Sequence, residues 1–234
     1  MKRRDFVMAC AASAASAPLA SSLTLAADAR PHRYGRAKLV DAKGIALHAA
    51  AIPVEQNLIF HYPYAGTPCF LLNLGKAVGA HVRLRTAEQA PYEWDGGVGA
   101  SRSIVAYSAI CAHKLTYPTR DISFISYRAR KTPGNKLGAV IHCCSEHSQY
   151  DPAQGARVLA GPAPQPLAAI LLEHDAASDE LYAVGTLGGE LFQQFFEKYA
   201  FKLTMEHGNA AREPVSGTCV VQELENYCRQ QVKC

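Results

Sequence analysis

Two short segments that each carry cysteine and histidine constrain this chain most strongly. The first is Cys-Ala-His at residues 111–113, and the second is His-Cys-Cys-Ser-Glu-His-Ser-Gln-Tyr-Asp at residues 142–151. Each follows a run of apolar and β-branched residues that predicts a strand. Because each segment offers at least one thiolate and one imidazole, the pair predicts a metal centre.

Two kinds of metal centre suit such a set of donors. A [2Fe-2S] cluster with two thiolates on one iron and two imidazoles on the other takes one Cys and one His from each of two loops. A tetrahedral zinc site can take the same four side chains, since thiolate and neutral imidazole suit zinc equally well. The spacing of the residues alone does not exclude zinc.

The residues after the second segment favour the cluster. Ser148, Tyr150 and Asp151 are followed by Gly-Pro-Ala-Pro at residues 161–164 and by an apolar run from Leu167. This order resembles the second half of the Rieske family motif, in which a cluster loop ending in Ser, an aromatic residue and Asp precedes a Gly-Pro-Ala-Pro loop over the cluster. Within that family the resemblance is nearest to the small subunit of arsenite oxidase and its relatives, and it covers somewhat over half of the chain.

The resemblance implies both a fold and a ligand set. The fold is mainly β, a Rieske-type antiparallel sheet with cluster-binding loops, and the cofactor is a Rieske-type [2Fe-2S] cluster. The resemblance further implies that Ser148 donates a hydrogen bond to a bridging sulfide and that Tyr150 donates one to the sulfur of a ligand cysteine. The metal ligands selected in this way are Cys111, His113, Cys144 and His147.

The sequence departs from the family pattern at a structural bridge. The usual loops each carry an extra cysteine, and the two are joined in a disulfide that braces the cluster. The nearby positions here read Lys-Leu-Thr-Tyr at residues 114–117 and Ser-Glu at residues 145–146. We therefore expect no such bridge, with the loops held by packing and by the proline loop.

The register of the second segment also departs from the pattern. Counting back from Tyr150 without a gap places Cys143 at the ligand cysteine and Glu146 at the ligand histidine. The Cys-x-x-His spacing instead selects Cys144 and His147. A carboxylate ligand would abandon the two-imidazole chemistry, so Cys144 and His147 are preferred, and Cys143 remains a rival to Cys144.

The N-terminal residues 1–29 predict export. A pair of arginines at positions 3 and 4 precedes an Ala/Ser-rich run and an Ala-Asp-Ala cleavage site, which indicates a twin-arginine signal and a periplasmic protein. The apolar run is short for a membrane span, although an uncleaved anchor is the alternative. Because the twin-arginine route is used for proteins that fold or take up a cofactor before transport, the signal agrees with a metal centre.

The remaining sequence predicts one main domain with an extension. The 234 residues, 49% of them hydrophobic, suffice for one sizeable core. We assign residues 30–186 to the Rieske domain and residues 187–234 to a helical C-terminal extension, with helices at 190–200 and 220–232. Residues 75–101 are predicted to form an inserted surface loop. Candidate strands are residues 69–74, 103–110, 122–128, 138–143, 157–160, 167–173 and 181–185.

Three cysteines lie in the predicted extension, namely Cys219, Cys228 and Cys234. A disulfide among them is one interpretation, because the periplasm is oxidising. Free thiols in a poorly ordered tail are the other, because chain ends are often disordered.

The function implied by the resemblance is electron transfer without catalytic residues of its own. The chain would pass single electrons from a catalytic partner, by resemblance a molybdenum enzyme, to a c-type cytochrome or a cupredoxin. Alternatives are the Rieske subunit of a quinol-oxidising cytochrome bc-type complex and a structural zinc-binding module. A Rieske oxygenase is not expected, since too few residues follow the Rieske portion for a catalytic domain. The net charge of +4 is too small to favour nucleic acid as a partner.

Overall fold

Strands dominate the part of the chain that the computed structural model describes, residues 29–131 and 136–234. In chain order they are β1 His32–Val40, β2 Leu58–His61, β3 Pro68–Asn73, β4 Val82–Arg85, β5 Pro91–Trp94, β6 Ile104–Ser108, β7 Ile122–Ser123, β8 Ile125–Arg128, β9 Val140–Cys143, β10 Ser148–Asp151, β11 Arg157–Ala160, β12 Ala169–Asp175, β13 Glu180–Leu187, β14 Gly217–Val220, β15 Gln222–Glu223 and β16 Gln230–Gln231. The α-helices of this part are α1 Phe192–Lys198, α2 Ala200–His207 and α3 Leu224–Tyr227. The prediction of a mainly β fold is therefore confirmed.

A large, mostly antiparallel sheet forms the centre of the molecule. Its strand order is β14-β1-β13-β12-β6-β3-β2-β15. Alternate side chains of β3 enter different apolar clusters, with Phe70 and Leu72 in one and Cys69 and Leu71 in the other. Because successive side chains of a strand point to opposite faces, both faces of this sheet are covered.

A smaller sheet, in the order β11-β10-β9-β8, holds the second cysteine and histidine segment. Ser148 at the start of β10 pairs with Cys143 at the end of β9, so residues 144–147 form the turn between these strands. The first segment follows β6 of the large sheet. Cys111 and Cys143 lie in one apolar cluster that contains side chains from both sheets. The fold therefore brings the two segments together.

The predicted strands are all present. The strand at residues 157–160 has the predicted ends, the others differ by a few residues, and the run at residues 122–128 is divided into β7 and β8. The prediction of a surface loop at residues 75–101 is wrong in part. Within it β4 and β5 form an antiparallel hairpin, and Leu84 and Trp94 of this hairpin are buried in the core. Both strands alternate buried and exposed residues, a two-residue repeat that buries one face.

The C-terminal residues 187–234 are less helical than predicted. The helix expected at 190–200 is present as α1, with α2 following it. The helix expected at 220–232 is wrong, because only α3 is helical there, and β14 and β15 join opposite edges of the large sheet. Buried Cys219 and Val221 alternate with more exposed neighbours, a pattern that favours a strand over a helix.

The predicted twin-arginine signal at residues 1–29 lies outside the described residues except for Ala29, and it stays a prediction. Among the described residues, no helix combines the length and the apolar character that crossing a bilayer requires.

Candidate metal centre

Two buried cysteines from different loops face each other at the centre of the site. Cys111 follows β6, and Cys143 ends β9; neither side chain has solvent exposure. The pKa of Cys111 is lowered, above all because the Cys143 thiol donates a hydrogen bond to its sulfur. The same bond, together with burial, raises the pKa of Cys143. The two sulfurs are therefore close enough to bind one metal ion together.

The two loops surround these sulfurs in the same way. Backbone N–H groups of His113 and Lys114 donate to Cys111, and those of Ser145 and Glu146 donate to Cys143. Each sulfur thus faces the amides two and three residues further along its own loop. Because N–H donors stabilise negative charge, these hydrogen bonds lower the pKa of both cysteines and oppose the effect of burial, which raises it.

Tyr150 directs its hydroxyl group at Cys111. Its oxygen lies 3.3 Å from the Cys111 sulfur and accepts a hydrogen bond of 3.1 Å from the Ala112 N–H group. The hydroxyl hydrogen is consequently available to donate to the sulfur. Burial raises the pKa of Tyr150, so the hydroxyl group remains a donor at all ordinary pH values.

Two buried polar atoms beside the sulfurs have no hydrogen-bond partner among the described residues. They are Oγ of Ser148 and Nδ1 of His113. The nearest carboxylate oxygen to His113 Nδ1, from Glu146, is 3.9 Å away. Because buried polar atoms are nearly always paired, these two orphaned atoms indicate that a further group belongs between the loops.

The proline loop packs directly on the second segment. Gly161 has φ +86°, and a Cβ atom there would lie 2.5 Å from Ser148 Cα and 2.6 Å from the His147 carbonyl oxygen. Only glycine permits so close an approach at this backbone conformation. The loop predicted to cover the cluster therefore touches the residues that would line it.

Among the known proteins that this chain resembles are a reductase subunit and a Rieske protein. The chain is 28% identical to the iodate reductase subunit IdrB of Pseudomonas sp. (strain SCT) over 140 residues, which are 59% of this chain and 57% of that protein. It thus spans little more than half the length of that curated relative. It is also similar to the crystal structure of the soluble domain of the Rieske protein II (soxF) from Sulfolobus acidocaldarius, with 27% identity, coverage of 65% of this chain and 78% of that chain, and a TM-score of 0.43. No protein-family model matches.

The facing thiols of two loops, with a tyrosine hydroxyl on one sulfur, are the arrangement that the resemblance to Rieske proteins predicts. This chain is similar to Rieske-type proteins. The cofactor of such proteins is a [2Fe-2S] cluster, and the described residues fit it: two adjacent buried sulfurs, the orphaned Nδ1 of His113 and the orphaned hydroxyl of Ser148. Cys111 and Cys143 supply the facing sulfurs, and His113 and His147 stay predicted ligands; the His147 side chain is exposed, with its ring 5.9 Å from that of His142.

Cys143, rather than the predicted Cys144, is the cysteine of the second Rieske loop that faces Cys111. Cys144 is joined in a disulfide to Cys234, with their Cα atoms 5.7 Å apart. Adjacent residues at the end of a strand point to opposite sides. Cys143 therefore faces Cys111, while Cys144 faces the C-terminal segment.

This disulfide corrects two further expectations. The expectation that packing and the proline loop alone hold the loops is wrong, because Cys144 of the second loop is bridged to Cys234, which lies outside both loops. A bridge among the three C-terminal cysteines was one interpretation, but Cys219 and Cys228 are buried free thiols that donate to the carbonyl groups of His61 and Gln230.

An ion pair that the sequence analysis missed links the two Rieske loops. Lys114 Nζ lies 2.9 Å from Glu146 Oε1 and lowers the pKa of that carboxyl group. Lys198, at the end of α1, donates a hydrogen bond of 2.6 Å to the Lys114 carbonyl oxygen. Lys114 and Glu146 lie near the positions at which the family pattern places the bridging cysteines. Two residues of opposite charge at those positions could have predicted the ion pair.

Proposed function

We propose that this Rieske-like protein is the electron-transfer subunit of a periplasmic oxidoreductase. It takes single electrons from a catalytic partner and passes them to a c-type cytochrome or a cupredoxin. The observation that carries the proposal is the pair of facing sulfurs between two N–H cradles, with an orphaned hydroxyl beside them. The similarity to a subunit of an iodate reductase supports a catalytic partner. A molybdenum enzyme of the arsenite oxidase kind is our expectation for that partner.

The proposed ligands are Cys111 and Cys143 through sulfur, and His113 and His147 through a ring nitrogen. When bound, the cluster supplies a one-electron redox couple whose potential is high, because neutral imidazoles replace two thiolates. The chain supplies the donors that stabilise the added negative charge. These are the loop N–H groups, the Tyr150 hydroxyl and the Ser148 hydroxyl.

The two proposed ligand histidines lie closer to the protein surface than the two cysteines. His147 is exposed and His113 is partly exposed, whereas both cysteine sulfurs are buried. The imidazole side is therefore the shorter route between the interior and a docked partner. We assign electron entry and exit to this side of the protein.

Periplasmic localisation has two supports. Residues 1–29 read as a twin-arginine signal, and the Cys144–Cys234 disulfide suits an oxidising compartment. Disulfides are rare in the cytosol, where thiols are kept reduced.

The proposal is tested by electron transfer between purified proteins. Chemically reduced wild-type protein, freed of excess reductant, should reduce an oxidised c-type cytochrome or cupredoxin in a rapid-mixing experiment. The Cys143→Ser variant, which lacks a proposed ligand, should not. A wild-type protein that holds its cluster yet reduces neither acceptor, and that captures no catalytic subunit from its native host, would contradict the proposed role.

A further inference from the structure

The Cys144–Cys234 disulfide joins the second Rieske loop to a segment distant in sequence, residues 228–234. The sequence separation of the two cysteines is 90 residues. Cys144 is adjacent to the proposed ligand Cys143, and its backbone N–H group donates to the carbonyl oxygen of Phe124. A constraint on Cys144 is therefore a constraint on the loop that supplies two of the four proposed ligands.

The C-terminal segment is itself fixed to the same part of the fold. Its strand β16 pairs in parallel with β7, and the N–H group of Val232 donates to the carbonyl oxygen of Ser123. The guanidinium group of Arg128, on β8, donates to the carbonyl oxygen of Val232. Cys234 thus extends from a segment attached to β7 and β8, the strands that precede the second Rieske loop. The disulfide closes a ring of contacts around that loop.

Buried His142 completes this arrangement. It is 1% exposed, and the Cys234 sulfur lies 3.5 Å from its Nδ1 atom. The disulfide is therefore packed against the C-terminal end of β9.

We infer that Cys234 is a positioning residue for the cluster: through its disulfide to Cys144 it holds the second Rieske loop, so that the N–H groups of Ser145 and Glu146 stay on the Cys143 sulfur. This inference rests on the proposed function. The C-terminal segment would then brace the second Rieske loop, as a disulfide between the two loops does in the usual family pattern. The exposed Lys114–Glu146 pair is the other link between the loops, and exposed ion pairs contribute little.

Closing the brace is an oxidation. The thiols of Cys144 and Cys234 lose two protons and two electrons as the S–S bond forms. The electrons pass to the disulfide of a thiol oxidoreductase, which becomes a dithiol. No electron is exchanged with the cluster in this step.

Three variants and one control test the inference. In Cys234→Ser and Cys144→Ser the brace is absent, and the double variant should match either single variant. In all three, the loop N–H groups are held less firmly on the Cys143 sulfur, so the midpoint potential should fall and a chelator should remove iron several-fold faster. Cys228→Ser, which alters a free thiol of the same segment, should keep the wild-type potential. Peptide mapping of non-reduced wild-type protein should recover the Cys144–Cys234 crosslink.

Several outcomes would overturn the inference. One is an unchanged potential and unchanged iron release in Cys234→Ser. Another is complete loss of the cluster in Cys144→Ser but not in Cys234→Ser, since that result would make Cys144 a ligand. If the single variants do not fold, a phosphine reductant that opens the bridge in folded wild-type protein should lower the potential, with recovery on reoxidation; no change would contradict the inference. Absence of a cluster from wild-type protein would instead contradict the proposed function, while the mapped crosslink would still stand.

Discussion

At the scale of single residues, two buried hydroxyl groups distinguish the centre. One points at a cysteine sulfur, and the other has no hydrogen-bond partner among the described residues. Tyr150 belongs to the first kind, and Ser148 to the second. Both are unfavourable arrangements in a protein without a bound group, because a buried hydroxyl normally finds a carbonyl oxygen or another strong acceptor. Their contributions to redox tuning can therefore be separated from their contributions to folding.

The Tyr150→Phe variant should lower the midpoint potential, because the Cys111 sulfur loses a donor that stabilises the reduced state. It should also lower the free energy of unfolding by about 1 kcal/mol, since the Ala112 N–H group loses its acceptor. Tyr107→Phe is the matched control, because that buried hydroxyl donates to the Pro152 carbonyl oxygen. Redox titration should show a shift for Tyr150→Phe only, and equal potentials in both variants would contradict the assignment.

Ser148→Ala should separate the two effects more clearly. The Ser148 hydroxyl has no partner among the described residues, so its removal should leave the stability of the cluster-free protein unchanged or slightly increased. In the cluster-loaded protein the potential should fall. Ser123→Ala serves as the control, because Ser123 Oγ donates to the Ile125 carbonyl oxygen and its loss should reduce stability without moving the potential. A potential that does not move in Ser148→Ala would exclude the tuning role.

At the scale of elements, the C-terminal segments hold the fold together through buried aromatic and histidine contacts. His61, on β2, packs its ring 5.6 Å from that of His207 and 5.6 Å from that of Tyr227, measured between centroids. These partners end α2 and α3. Burial, with the charges of His207 and Arg120, lowers the pKa of His61 to about 3.

A dependence of stability on pH follows from His61. Its folded pKa lies below the value of about 6.5 for an unfolded histidine, so the unfolded state binds the proton more readily. The stabilisation that depends on neutral His61 is fully present above about pH 6.5. It decreases by about 1.4 kcal/mol for each pH unit as the pH falls towards about 3. Unfolding measured between about pH 7.5 and 5 should show a shallower slope for His61→Phe than for wild type. Equal slopes in His61→Phe and wild type would contradict this account.

At the scale of the whole molecule, the local motifs were easier to predict than the long-range partners. The strands and both loops follow from short patterns, since a two-residue repeat and a Cys-x-His segment are visible within a few residues. The choice between Cys143 and Cys144 was not accessible in this way. It depends on which side of the end of β9 faces Cys111, and spacing carries no information about that side.

The C-terminal strands were missed for a related reason. Cys219 and Val221 are consistent with a short strand, but only the exposed edge of β1 decides that β14 pairs there. The true partner of Cys234 was missed, because Cys144 was assigned to the metal and only Cys219 and Cys228 were considered. Contacts between residues distant in the chain are set by packing rather than by local pattern.

The central claim is that two thiolates and two imidazoles hold a [2Fe-2S] cluster between these loops. Iron and acid-labile sulfide analysis of purified protein, with continuous-wave and pulsed electron paramagnetic resonance of the reduced form, tests it most directly. The account predicts about two irons and two sulfides per chain, and a one-electron-reduced signal with nitrogen couplings from two histidines. Zinc in place of iron, or a reduced cluster without nitrogen couplings, would contradict it.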